Sequence, residues 1–291
     1  MEDSPTVSER VRAEMPRLAP AERRVALVLL GDDPLAGLEP VATLAERADT
    51  SAPTVLRLLG KLGFESYPAF QQVVKDELSA RLDSPAQMYP LGRTGPSLIP
   101  RMLERVGHAV TASYAHLAAD DAHAVVRLFA NGRRPLWTVG GRFSGFLADY
   151  LATHLQLLRP AVRPVSASPG ARAAALLDID AKSVVVAFDY RRYQRDTIEL
   201  GRAAAAQGAT VVLFTDRYLS PLAADADVVL PTTVEAPSPF DVLAPAVALV
   251  EALVAAAVDR LADRPRARMT RYDELNTQVI GAAHSAARGE G

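Results

Sequence analysis

Two short polar segments each follow an apolar run that is typical of a buried strand. The first, "GGRFSG" at residues 140–145, follows "PLWTV", and the second, "DYRRYQRDT" at residues 189–197, follows "SVVVAF". Arginines can bind phosphate or carboxylate groups, an aspartate can accept hydrogen bonds from hydroxyl or amino groups, and tyrosines can stack or hydrogen-bond. The residue types therefore indicate a binding site for a small polar or anionic ligand.

The elements that would position these segments alternate between strand and helix. Short Val-rich runs, typical of buried parallel strands, are separated by amphipathic stretches that predict helices at 144–158, 170–177 and 194–207. This alternation predicts an α/β domain with a five-stranded parallel sheet, the flavodoxin-like order 2-1-3-4-5 and helices on both faces. The predicted strands are 135–139, 161–165, 183–188, 209–214 and 227–230.

The predicted strand order brings the two polar segments together. Ligands of open parallel sheets bind beyond the carboxyl ends of the strands where the order reverses, here between the first and third strands. Two glycines and a helix start at Ser144 are typical of an anion-binding turn. An alternative is that Arg191 and Arg192 are only solvated, or pair with Asp189, Asp196 or a subunit neighbour. The candidate ligand-binding residues are Gly141, Arg142, Ser144, Asp189, Arg191, Arg192 and Thr197.

A second pattern lies near the amino terminus, at residues 39–64. Val41, Leu44, Ala45 and Ala48 share one helical stripe, and Val55, Leu58, Leu59 and Leu62 share another. Residues 49–51 fit a tight turn between the helices, with Ser51 as the cap of the second and Gly63 as its end. Two short helices joined in this way predict a helix-turn-helix in an all-α amino-terminal domain.

The residues opposite the second stripe carry the chemistry expected of a DNA-contacting helix. If the apolar positions are buried, Ser51, Thr54, Arg57 and Lys61 face outward, where hydroxyl and cationic groups suit base edges and phosphates. These four are the candidate DNA-binding residues. The alternative is a helical-hairpin interaction domain in which Arg57 and Lys61 are merely solvated.

Composition limits the function classes. The chain has 291 residues, no cysteine and a net charge of −2, so disulfides and thiolate zinc sites are excluded and any DNA-binding face must be local. We predict no metal site, no cofactor, no signal peptide and no membrane segment, and the apolar stretch at 242–258 fits a buried helix. The predicted organisation is a helix-turn-helix domain at 1–82, a Pro-rich linker at 83–98, an α/β domain at 99–265 and a carboxyl-terminal helix or tail at 266–291.

The sequence resembles the MurR/RpiR-type bacterial transcriptional regulators, which join a helix-turn-helix domain to a sugar isomerase (SIS) domain. The resemblance rests on residues 18–34, on "VATLAERADTSAPTVLRLLGKLGFESYPAFQQ" at 41–72, and on the α/β pattern with "GGRFSG" at the SIS loop position. It implies a cytoplasmic regulator that binds a double-stranded DNA operator, senses a small-molecule effector and forms a homodimer or homotetramer.

The sequence departs from this family at the turn after the third strand. Typical SIS domains have a Ser/Thr- and Gly-rich turn that holds a sugar phosphate, whereas "FDYRRYQRDT" has no serine or glycine and includes Asp189, whose charge would repel a phosphate. The expected effector is therefore a sugar phosphate or another anionic or polar metabolite. We expect no catalysis, because none of the five histidines falls in either turn, where a catalytic base would be needed. Among the carboxylates, Glu235 is the best candidate for such a base. The alternatives are an SIS-type sugar-phosphate isomerase and an SIS module that does not bind DNA.

Overall fold

The computed structural model describes residues 5–31, 36–82, 97–115, 117–235 and 238–288. These form an amino-terminal helical region followed by an α/β domain. Most of the predicted linker, residues 83–96, lies outside the described residues, and the next helix begins at Leu98. The helices of the amino-terminal region are α1 (Val7–Glu14), α2 (Pro20–Leu30), α3 (Val41–Arg47), α4 (Ala52–Lys61) and α5 (Tyr67–Leu82).

Helices α3 and α4 form the pair that the periodicity predicts. The whole predicted stripe of α4 is buried. Leu44 and Ala45 of α3, and Ala48 directly after it, are buried with that stripe in a core shared with α1 and α2. The chain leaves α4 through Gly63, whose φ of +82° is costly for any residue with a Cβ. Burial of the two apolar stripes therefore determines how this helix pair packs.

The α/β domain contains the predicted five-stranded parallel sheet. Its order is β2-β1-β3-β4-β5, so the prediction of a flavodoxin-like sheet is confirmed. Each strand lies within two residues of its predicted range, because short Val-rich runs between turn residues mark buried strands. The strands are β1 (Leu136–Gly140), β2 (Val162–Pro164), β3 (Val184–Phe188), β4 (Thr210–Asp216) and β5 (Val228–Thr232).

Helices cover both faces of the sheet. Alternate residues of β3 point to opposite faces, so Val184, Val186 and Phe188 belong to one core cluster while Val185 and Ala187 belong to the other. Helices α7, α8 and α11 contribute to the first cluster, and α9 and α10 to the second. The helices of this domain are α6 (Leu98–Ala115), α7 (Ala119–Ala130), α8 (Gly145–Leu158), α9 (Pro169–Asp178), α10 (Arg195–Ala206), α11 (Ala244–Leu261) and α12 (Arg266–Arg288).

The long apolar stretch at 242–258 folds into α11 and packs against α7 and α8, as expected of a buried helix. Among the described residues, no helix is both long enough and apolar enough to cross a bilayer.

Candidate functional site

A crevice of about 410 Å³ opens at the carboxyl ends of β1 and β3. This is the point where the strand order reverses, and the turns after the two strands form its walls. The structure brings six of the seven predicted ligand-binding residues to the crevice; Thr197 does not line it. The predicted residues that line it are Gly141, Arg142, Ser144, Asp189, Arg191 and Arg192.

The glycine-containing turn after β1 is tied to the end of β3. The Gly141 N–H donates to Ser144 Oγ at 2.9 Å, and the Ser144 hydroxyl donates to the carbonyl of Phe188 at 2.6 Å. Ser144 is buried and makes no side-chain cap for α8. These groups therefore hold the two turns together, and the anion-binding turn predicted from the sequence is already engaged by the protein's own atoms.

Gln194, which the sequence interpretation missed, covers this turn. A Cβ built on Gly141 would lie 2.5 Å from Gln194 Cγ, so glycine is needed there to admit the glutamine side chain. The Gln194 amide donates to the carbonyl of Arg192 at 3.2 Å, which keeps the side chain across the crevice floor. Nothing in the sequence pattern distinguishes this glutamine from a solvated turn residue.

Asp241 pairs with both arginines of the second turn. Arg191 donates to one of its carboxylate oxygens, and Arg192 donates to the other at 3.1 Å. The side chains of Arg191 and Asp241 are 4% and 9% exposed, so this is a nearly buried ion pair. The sequence interpretation considered ion pairs with Asp189 or Asp196, but the partner lies 49 residues beyond Arg192, in the segment before α11.

Asp189 lies at the base of the crevice and is fully buried. Its carboxylate accepts from the Gln194 N–H at 2.9 Å and from the Ser220 hydroxyl at 2.5 Å. Burial raises the pKa of Asp189 to about 7, because the loss of solvation outweighs these hydrogen bonds. Burial likewise raises the pKa of Asp216, at the end of β4, to about 6.

Thr197 is the predicted ligand-binding residue that the structure places elsewhere. Its side chain is fully buried in the first turn of α10, and its hydroxyl accepts from Arg172 at 3.1 Å. Arg172 also donates to the carbonyl of Gly140 at 3.0 Å, which links α9, α10 and the turn after β1. The hydroxyl is thus engaged in packing these elements and does not face the crevice.

The mouth of the crevice is aromatic. Phe143, Phe146 and Phe240 line it and are 53%, 53% and 57% exposed. The guanidinium of Arg142 lies 4.7 Å from the centre of the Phe143 ring, in a cation–π contact. Exposed phenylalanines gathered around one opening are unusual on a protein surface and often mark a binding site.

The four predicted DNA-binding residues lie on and just before α4, but not all face outward. Ser51, Arg57 and Lys61 are exposed, whereas Thr54 is buried, which corrects the prediction. Thr54 borders the apolar stripe, and its hydroxyl accepts from Arg57 at 3.0 Å and pairs with Ser51 Oγ at 3.1 Å. Ser51 occupies the cap position without the predicted side-chain bond to the backbone.

The exposed face of α4 is mixed in character. Lys61 forms an ion pair with Glu22 at 2.7 Å, which helps to hold the pKa of Glu22 below its usual range. Leu56, which the sequence interpretation did not select, is 48% exposed and lies beside Arg57 and Gly60 on the same face. Its helical spacing from Gly60 is the signal that could have placed it there. The face therefore combines cationic, apolar and small residues.

A second cavity, of about 220 Å³, lies between the helical region and the α/β domain. Residues of α1, α2 and α5 line one side, and Tyr193, Leu219 and Ser220 line the other. Nearby, Arg217 and Glu9 form an ion pair at 3.3 Å across the boundary between the two parts. Tyr193 also donates to Asp216 at 2.9 Å. The turn at 189–194 thus faces the crevice on one side and the helical region on the other.

Comparison with known proteins identifies the class of the α/β domain. Residues 132–256 match the family model of the SIS domain, and the fold of the chain is a helical region followed by an SIS α/β domain. The sugar isomerase domain of an RpiR transcription factor from Sphaerobacter thermophilus superposes with a TM-score of 0.56 at 21% identity, covering 61% of this chain and 99% of that one.

Three further similarities were found, and the first two extend over more of the chain. The Vibrio vulnificus NanR protein, solved in complex with ManNAc-6P, gives a TM-score of 0.55 at 17% identity and covers 94% of this chain and 98% of that one. The protein named "Bifunctional protein glk" of Paraburkholderia xenovorans (strain LB400) is 28% identical over 232 residues, or 79% of this chain. Its Burkholderia mallei (strain ATCC 23344) namesake is 28% identical over 131 residues. These matches span 35% and 20% of the two relatives' own lengths.

Proposed function

We propose that the protein is a DNA-binding transcriptional regulator of the RpiR type, in which the SIS domain senses a small molecule and modulates operator binding. The observation that carries the proposal is the position of the turn at 189–194, between the crevice and the helical region. Similarity to NanR over 94% of the chain supports this reading, because that protein was solved with a sugar phosphate.

The helical region would read DNA through α4. Helices α3 and α4 would form the helix-turn-helix unit, and Arg57 and Lys61 lie on the exposed face of α4. Ser51, at the start of that helix, is exposed and can approach a phosphate. Leu56 adds an apolar surface that suits a thymine methyl group. Thr54 would act indirectly, since its hydroxyl accepts from Arg57 and fixes the direction of the guanidinium.

Ligand binding would reach the helical region through Tyr193. Arg191, Arg192 and Gln194 line the crevice, so a ligand that moves this turn also moves Tyr193, which lines the cavity against α1, α2 and α5. Two positions of this turn would give the helical region two orientations with different operator affinities. A ligand that binds one of these two states more tightly would shift the balance between them, which is what allostery requires.

The proposed organisation is a helix-turn-helix domain at 1–82, a linker at 83–98, a sensing and oligomerisation domain at 99–265 and a final helix or tail at 266–291. The partners would be an operator duplex, an effector and a second or further copies of the chain, in the cytoplasm. Two copies would present two α4 helices to paired half-sites.

An electrophoretic mobility shift with the DNA upstream of the protein's own gene tests DNA binding. We expect the protein to bind this DNA more tightly than a scrambled duplex, and Arg57→Ala to weaken binding by about tenfold because a base or phosphate contact is lost. Arg133→Ala is the matched control, since Arg133 is exposed in the α/β domain, far from α4 in the sequence. Equal affinity for both duplexes would contradict the proposal.

The second candidate function is a sugar-phosphate isomerase, and Asp189 is the observation in its favour. A carboxyl with a pKa of about 7 at the base of a crevice is suited to general base catalysis at neutral pH. Glu235, the carboxylate selected from the sequence, does not line the crevice; its Oε2 instead accepts from the Val234 N–H at 3.1 Å. Turnover of an aldose or ketose phosphate by the purified protein, abolished in Asp189→Asn, would favour the enzyme over the regulator.

A further inference from the structure

We propose that the crevice is built for a small aromatic carboxylate and not for a sugar phosphate. The inference rests on the proposed function, since it takes this crevice as the effector site. The observations behind it are the charge balance of the crevice, the groups already engaged at its base and the composition of its mouth.

The charges of the crevice suit one negative charge better than two. A sugar phosphate carries between one and a half and two negative charges near neutral pH. Arg191 and Arg192 share Asp241, Arg142 lines the same crevice, and the Asp189 carboxyl, with its pKa of about 7, is only partly ionised near neutral pH. When Asp189 is ionised, two of the three arginine charges are balanced by the two carboxylates, and the one that remains matches a monoanion better than a dianion.

The donors that hold a phosphate in a glycine-rich turn are also engaged here. The Gly141 N–H and the Ser144 hydroxyl bond to the protein itself, and Gln194 covers Gly141. A phosphate at this turn would leave some of its oxygens without partners, which is costly in a buried site. The turn after β1 therefore offers a phosphate fewer free donors than a glycine-rich phosphate-binding turn does.

Two cationic groups are still able to hold a carboxylate. Within the described part of the chain, Arg142 has no hydrogen-bond partner and only its ring contact with Phe143. Nη1 of Arg192 is buried and has no partner among the described residues either. Both arginines line the crevice, and an arginine matches the planar geometry of a carboxylate. These groups can bind one carboxylate without breaking the pair with Asp241.

The mouth supplies the surface for an aromatic ring. Phe143, Phe146 and Phe240 together with Leu243 present apolar atoms at the opening, and a flat apolar ring would cover them. A planar ring can stack against phenylalanine in offset or edge-to-face geometry. The crevice volume of about 410 Å³ lies within the range of small-molecule sites.

Isothermal titration calorimetry on the full chain tests the proposal with two panels of probes. The first contains benzoate, phenylacetate and 4-hydroxybenzoate, and the second contains glucose 6-phosphate, ManNAc-6P and inorganic phosphate. We expect saturable binding of at least one aromatic carboxylate, and at least tenfold weaker binding of every phosphate. Arg142→Ala and Phe146→Ala should each weaken the bound carboxylate by about tenfold. The matched controls, Arg133→Ala and Leu177→Ala, alter an exposed arginine and an exposed leucine that do not line the crevice.

Three results would overturn the proposal. The first is a sugar phosphate that binds more tightly than every aromatic carboxylate, and the second is no binding by any aromatic carboxylate. The third is a Phe146→Ala variant that changes the oligomeric state in sedimentation without changing carboxylate affinity, since the aromatic mouth would then be an interface between copies. Measurement of operator binding separates an error in the ligand class from an error in the proposed regulator function. A sugar phosphate that binds and shifts operator affinity overturns only the ligand class, whereas carboxylate binding without any DNA binding overturns only the regulator.

Discussion

Replacing Asp241 by asparagine would remove the charge that the two crevice arginines share. Breaking a buried ion pair by removing one partner destabilises a protein by roughly 3–5 kcal/mol, because the other charge is left buried and uncompensated. Arg191 is 4% exposed and Arg192 is 23% exposed, so water partly solvates the Arg192 guanidinium. The side-chain oxygen of the introduced asparagine can also accept one hydrogen bond. We therefore expect Asp241→Asn to lower the free energy of unfolding by about 3 kcal/mol.

Trp137 provides the assay. It is the single tryptophan of the chain and lies in β1, so its fluorescence in a urea titration reports unfolding of the α/β domain alone. The control is Asp225→Asn, which removes a surface ion pair with Arg202 at 3.1 Å in which Asp225 is 40% exposed. That change should lower the free energy of unfolding by less than about 1 kcal/mol.

The same variant should gain an affinity for phosphate. Without Asp241, the two arginines lose the carboxylate that they share and the crevice gains one positive charge, so 10 mM phosphate should raise the Tm of Asp241→Asn and leave that of the wild type nearly unchanged. An Asp241→Asn protein as stable as the wild type, with no response to phosphate, would refute the charge balance assigned to the crevice.

Three other changes give distinct outcomes. Between about pH 4 and 7, native Asp189 keeps a proton that the unfolded chain has released, so its contribution to stability falls as pH rises. Relative to Asp189→Asn, the wild type should lose about 3 kcal/mol between pH 4.5 and 8 in urea titrations, and a constant difference would refute the raised pKa. Gly140→Ala should destabilise the domain, because its Cβ would lie 2.7 Å from the backbone of the next helix start, and an unchanged urea midpoint would refute that close approach. Tyr193→Phe removes the bond to Asp216 and should alter the response of operator binding to ligand while leaving ligand affinity within about threefold; an unaltered response would remove Tyr193 from the coupling route.

The sheet and the position of the crevice could be predicted from the sequence because they depend on local patterns. Apolar runs of four to six residues between turn residues mark the strands, and a parallel sheet places the ends of β1 and β3 at one edge. The stripe of α4 was predictable for the same reason, since helical spacing determines which residues are buried together.

The chemistry of the crevice depends on tertiary packing and could not be predicted in this way. Asp241 meets Arg191 from 50 residues away, and the direction of the Gln194 side chain follows from the backbone of its turn. Thr54 lies at the edge of a helical stripe, where it is buried and hydrogen-bonds to Ser51 and Arg57. Periodicity alone assigns such border positions poorly.

Control of operator binding by the SIS domain is tested by the effect of a crevice ligand on operator affinity. Fluorescence anisotropy of labelled upstream DNA would be titrated with the full chain, with and without a saturating concentration of whichever probe, aromatic carboxylate or sugar phosphate, binds the crevice. We expect the Kd for DNA to change by at least about fivefold on ligand binding, with a smaller change in Tyr193→Phe. A Kd that stays the same at saturating ligand, or an affinity no greater than that for scrambled DNA, would contradict the central claim that the SIS domain controls a DNA-binding helical region.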